Sequence, residues 1–167
     1  MLAVGRPLDA VPDLQASVET LRRTLSPQHP VTRWFQADWA LALARGGKRR
    51  EAEDLLTPLL PAPQSPVDSN ASKAMYVMGV TKRLDGDFGR ALEFLQQSLR
   101  ATSPARNADL RRMRTLTQIG LTLLDLGQKD AAIDSLDRAL AISRQQQAAS
   151  APDRADIEAA LLRARSA

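Results

Sequence analysis

Apolar residues in this chain recur at helical spacing inside a larger period. At four places a glycine is followed five residues later by an alanine: Gly5/Ala10, Gly47/Ala52, Gly86/Ala91 and Gly127/Ala132. Successive glycines lie 42, 39 and 41 residues apart. Four residues after the alanines come Leu14, Leu56, Leu95 and Leu136, and eight after them Val18, Leu60, Leu99 and Leu140. Offsets of four and eight fall on one helical face, so each glycine opens an amphipathic helix. A period near forty marks an array of stacked helical repeats, each burying its apolar face against its neighbours.

A second helix precedes each of the last three glycines. Twelve residues before the alanine stand Ala40, Gly79 and Gly120, each directly after a large apolar residue, Trp39, Met78 or Ile119. A mid-helix glycine costs about 1 kcal/mol against alanine, so its return at one register points to a close helix crossing. Breakers fall between the helices. Pro30, Pro66, Pro104 and Pro152 suit first turns, Ser65 and Ser103 are N-cap candidates, and Gly46-Gly47, Gly86 and Gly127 suit turns between paired helices. Residues 61–66, rich in proline, read as a stiff linker. The pattern predicts helices near 12–25, 31–45, 48–60, 67–84, 87–101, 105–126, 129–148 and 153–165, with no strand. The expected architecture is one all-α superhelical domain over 1–167. It comprises a half repeat at 5–25, repeats at about 30–60, 66–101 and 104–148, and a terminal helix at 153–165. On that helix, Ile157, Leu161 and Leu162 are expected to seal the end of the third repeat.

Composition narrows the function. Hydrophobic residues make up 44% of 167, enough for a continuous core, and only 4% are aromatic. There is no cysteine, which excludes disulfide and thiolate-metal chemistry. The first residues lack the charged start and apolar run of a signal peptide, and no run approaches a membrane span. A soluble, cytoplasmic protein without membrane contact is the expectation. His29 is the single histidine. A metal site or catalytic triad is hard to assemble around it, and its place before Pro30 gives it a role at a helix start. Asp85-Gly86-Asp87 lacks the ligand ladder of a calcium loop and reads as a turn with a helix cap. Asn70-Ala71-Ser72 fits a glycosylation acceptor, a pattern too short to carry weight. Glu51, Glu53 and Asp54 read as a solvated face. The chain is expected to have no catalytic residue, no metal and no cofactor.

The small residues at Ala40, Gly79 and Gly120, the turn glycines and the alanines at Ala52, Ala91 and Ala132 together resemble the tetratricopeptide repeat. Leu84-Asp85-Gly86-Asp87-Phe88-Gly89-Arg90-Ala91-Leu92 is the nearest match. The usual period is about 34 residues. The longer spacing here, with Leu25-Ser26-Pro27-Gln28-His29-Pro30 ahead of Trp39-Ala40, looks like repeats of the kinesin light chain type, which bacterial proteins also carry. The resemblance implies a non-catalytic scaffold that binds a protein or peptide in a concave groove lined by the first helix of each repeat. Transferred by register, the groove positions are Trp34, Ala37, Asp38, Leu41 and Arg45, then Lys73, Tyr76, Val77, Val80 and Arg83, then Arg114, Thr117, Gln118, Leu121 and Asp125. The lysine and asparagine that clamp a C-terminal carboxylate are absent, with Ala37/Leu41 and Tyr76/Val80 in their place. Trp34 and Tyr76 remain as amphipathic anchors and Lys73, Arg83 and Arg114 as cations, alongside Asp38, Arg45 and Gln118, favouring an acidic or amphipathic segment.

Arg100, Arg106, Arg111, Arg112 and Arg114 concentrate charge near one helix start. A net charge of only +4, the absence of interleaved aromatics and the presence of Asp109 argue against nucleic acid. Gly5 and Ala10 match a repeat whose first helix is missing. Either the helix at 12–25 is adapted as a cap, or the chain is part of a longer protein. The second alternative gives a competing function: a regulatory or sensor segment of a signalling enzyme such as a bacterial Ser/Thr kinase, or of a transcription regulator. The oligomeric state is left open by the sequence.

Overall fold

The computed structural model describes residues 7–62, 65, 67–102, 108–145 and 151–166. It holds eight α-helices and no strand among them. After a 3-10 turn at Pro7–Ala10 come α1 (Val11–Thr24), α2 (Pro30–Arg45), α3 (Arg49–Leu56), α4 (Ser69–Leu84), α5 (Phe88–Ala101), α6 (Ala108–Asp125), α7 (Lys129–Gln145) and α8 (Ala151–Ser166). Helices α2/α3, α4/α5 and α6/α7 form antiparallel pairs that stack in chain order, with α1 against α2 at one end and α8 against α7 and α6 at the other. The expected turn at Gly5, the breakers Pro66, Ser103 and Pro104, Arg106 and the stretch 146–148 lie outside the described residues.

The turns follow local chemistry. Gly47, Gly86 and Gly127 adopt φ of +88°, +82° and +73°, a region that strains any residue with a Cβ. His29 caps α2: its Nδ1 accepts the Val31 N–H at 3.2 Å, and Pro30 begins the helix. Asp87 caps α5 by accepting the Arg90 N–H at 3.3 Å. Two expectations are corrected. The N-cap of α4 is Asp68, which accepts the Ala71 N–H at 2.7 Å, so the helix starts at Ser69 rather than at a Ser65-Pro66 cap. The helix expected to run to residue 60 ends at Leu56 and tightens into a 3-10 turn over Thr57–Leu59, because Pro58 has no N–H to continue the ladder.

The core is built from one repeated contact. Leu56, Leu95 and Leu136 are fully buried, as are Ala52, Ala91 and Ala132. A Cβ on Gly79 would lie 2.6 Å from Leu95 Cγ, and one on Gly120 would lie 2.5 Å from Leu136 Cγ. The glycines therefore exist to admit these leucines, and the second helix of each pair seats there. Gly46 lies in the turn after α2, as expected, and serves a further, related purpose. Its φ of −82° needs no glycine, but Leu8 packs where its side chain would be.

Buried polar groups tie the pairs together. Ser98 Oγ donates to the Ser72 carbonyl at 2.8 Å while Ser72 Oγ donates to the Ser98 carbonyl at 3.2 Å. Buried Gln36 donates to the Leu55 carbonyl at 2.8 Å and accepts from Arg22 at 3.0 Å, linking α1, α2 and α3. On α8, Ile157 and Leu161 are buried as expected. Leu162 is not: it is 72% exposed, a correction to its sealing role, because α6 and α7 reach only the other side of the helix.

Replacing Leu95 by alanine should destabilise the fold by about 2–5 kcal/mol in denaturant titration, since it opens a cavity at the centre of a helix pair. Gly79→Ala should destabilise the parent chain but less, or not at all, in the Leu95→Ala background. A double-mutant cycle with no coupling would show that the two residues do not share the contact.

Candidate functional site

The groove positions predicted from sequence lie on the first helices α2, α4 and α6, with α4 touching both α2 and α6. Ala37, Leu41, Val77, Val80 and Thr117 point into the core and are buried. Surface there comes from Trp34, Asp38, Arg45, Lys73, Tyr76, Arg83, Arg114, Leu121 and Asp125, which are partly or fully exposed. Gln118 is half-buried, and its Oε1 is enclosed without a hydrogen-bond partner.

The charged positions are joined in pairs from one repeat to the next. Lys73 Nζ lies 2.7 Å from Asp38 Oδ2 and 3.8 Å from the centroid of the Trp34 ring, so α4 is held to α2 by an ion pair and a cation–π contact on one ammonium. Arg83 Nε meets Asp125 Oδ2 at 2.8 Å, joining α4 to α6. Arg114 engages Asp153 through Nη2 at 3.2 Å and Nε at 3.4 Å, joining α6 to α8, and Arg163 adds a second cation to Asp125 at 3.4 Å. Three of the expected groove cations are thus structural partners of acids on adjacent helices. Each pair draws on two separate repeats, which motif reading within one repeat does not bring together.

Arg45 differs. It is exposed at the C-terminal end of α2 and pairs with no carboxylate among the described residues. Half-buried Tyr76 lies in the fields of both Arg45 and Arg114. Burial pushes its phenol above the ordinary value, the two arginines pull it back and Asp153 pushes it up. It remains a neutral donor at pH 7. Lys73 is only 11% exposed, and burial lowers its ammonium to about 8 against the pull of Asp38, with Arg114 lowering it further. Among the described residues no group of three or more potential metal-ligating side chains converges.

This geometry defines the class of fold: an α-solenoid of stacked antiparallel helix pairs, like that of tetratricopeptide repeats. Residues 70–145, spanning α4 to α7, match the tetratricopeptide repeat family model. No curated protein matches the chain at a significant level. Two crystal structures of nearly identical TPR-like repeats of the kinesin light chain type from Podosopora anserina share the fold. One, of a single-substitution variant, is 21% identical with a TM-score of 0.67, covering 97% of this chain and 78% of its own. The other is 21% identical with a TM-score of 0.63, covering 97% of this chain and 79% of its own. The chain is thus similar in fold to kinesin-light-chain-like repeat proteins, as its long period implied. Tetratricopeptide repeats generally mediate protein–protein interaction. No helix among the described residues is long and apolar enough to cross a membrane.

Lys73 is the buried lysine of the α2–α4 contact. In a pH series of lysine Cε resonances, its signal should titrate near pH 8. Because the folded value lies below the unfolded one, the unfolded chain binds the extra proton between about 8 and 10.5, and stability from this group rises with pH across that window. A Lys73 midpoint at the ordinary lysine value of 10.5 would remove the buried ammonium.

Proposed function

We propose that this face is a docking surface for an acidic segment of a partner protein. The reading rests on Arg45, exposed and without a carboxylate among the described residues, with Tyr76 in the fields of both it and Arg114. A segment laid along α2, α4 and α6 would place an apolar or aromatic residue against Trp34 and Tyr76, the residue type most used at interface centres. A carboxylate would sit between Arg45 and the half-exposed edge of Arg114, where a guanidinium can bind it through two N–H donors. Lys73 and Arg83, already engaged by Asp38 and Asp125, supply field and shape rather than open contacts. The helices are held by their neighbours before the partner arrives, which lowers the ordering cost of binding.

A displayed peptide library should therefore enrich Asp- and Glu-containing sequences. Isothermal titration with an enriched peptide should show about a tenfold loss or more for Arg45→Glu and for Arg114→Ala. Tyr76→Phe should lose several-fold with helicity unchanged. Enrichment of basic or neutral peptides, or affinity indifferent to Arg45 and Arg114, would show that the acidic-segment reading is wrong.

A further inference from the structure

The outer side of α8 carries the most exposed large apolar residue among the described residues, Leu162 at 72%. Its register explains why. The buried positions Ile157, Ala160, Leu161 and Ala164 repeat the spacing of buried Ala74, Val77, Met78 and Thr81 on α4. The ion pair of Arg165 with Asp137 of α7, at 3.1 Å, repeats that of Lys82 with Glu53 of α3, at 2.7 Å. In this register α8 is the first helix of a further pair, and Leu162 stands where Gly79 and Gly120 stand. At those glycines even a Cβ would collide with the leucine of the second helix. A second helix seated as α5 sits on α4 is therefore incompatible with α8, and whatever covers this face must accept a leucine knob.

Ala155, Ala159, Leu162 and Ser166 are all exposed and lie on one helical stripe, offering a hollow of two alanines one turn before the knob. Exposed Asp156 and Glu158 flank its N-terminal half, and exposed Arg163 and Arg165 its C-terminal half. The stripe is thus complementary to itself when reversed. We propose that a second copy of this chain docks here, α8 against α8 and antiparallel about a two-fold axis near Ala159. Leu162 of each copy enters the hollow between Ala155 and Ala159 of the other, Asp156 of each faces Arg163 of the other along one edge of the stripe, and Glu158 faces Arg165 along the other edge. Arg163 holds Asp125 only at 3.4 Å and is 57% exposed, so it can serve both. A parallel arrangement would set knob on knob and like charge on like charge. The interface is isologous and closes at two copies.

Sedimentation equilibrium of the full chain from about 1 to about 300 µM, the range suited to a small interface, should show mass rising from 18.2 kDa to a plateau at twice that value. Leu162→Glu should weaken the dimer at least tenfold with an unchanged thermal melt. Asp156→Arg should weaken it and adding Arg163→Glu should restore it. The native sequence has no cysteine, so an Ala159→Cys variant should oxidise cleanly to a covalent dimer. A monomer at all concentrations, mass climbing past the dimer, or a dimer undiminished by Leu162→Glu would overturn the proposal. Loss in Leu162→Glu with indifference to the charge swap would overturn the antiparallel arrangement.

Discussion

Every layer of this solenoid depends on a leucine of the second helix resting on a residue of the first helix that has little or no side chain. Leu95 over Gly79 and Leu136 over Gly120 bring the paired helices so close that a single added carbon would collide. That proximity buries the leucines completely, together with the alanines one turn before them. It also fixes the rotation of each first helix and so decides which residues face the core and which line the surface. Glycine weakens a helix by about 1 kcal/mol, while a fully buried leucine contributes roughly 1.5–3 kcal/mol. The contact outweighs the helix penalty.

Once rotation is set, the remaining first-helix positions have little freedom. Asp38, Lys73, Arg83, Asp125, Arg114 and Asp153 fall at heights where adjacent first helices bring opposite charges within about 3.5 Å. These pairs are partly exposed and contribute little stability singly. Their larger effect is on the surface: they neutralise most of the charge that the sequence places there and leave Arg45 and the outer edge of Arg114 as its positive features. The charge of that face is largely matched from within.

The two ends of the array show what happens when the repeated contact has no counterpart. Leu8 fills the space over Gly46 and Gln36 bridges three helices, so the start of the stack is closed by side chains borrowed from outside the repeat pattern. At the other end Leu162 occupies the register of the glycines and projects outward. The same geometry that builds the interior thus gives that helix a surface of its own character, separate from the face on α2, α4 and α6.

The all-α class, the pairing of helices, the three positive-φ turn glycines and the buried leucines were legible in the sequence because each depends on neighbours within one repeat, and a period of about forty residues prints those neighbours several times. The caps at His29 and Asp87 were legible for the same local reason. The start of α4 was not, because Ser65-Pro66 and Asp68 offer competing caps and only packing selects between them. Nor was the engagement of Lys73, Arg83 and Arg114, since each acidic partner lies 35 to 42 residues away on another helix. The contact of Leu8 over Gly46 and the exposure of Leu162 were not legible, because both depend on what packs from outside. Sequence periodicity determined the elements and their apolar faces; tertiary packing alone decided which charges are free and which apolar residue stays uncovered, because those depend on distances between helices that no single helix encodes.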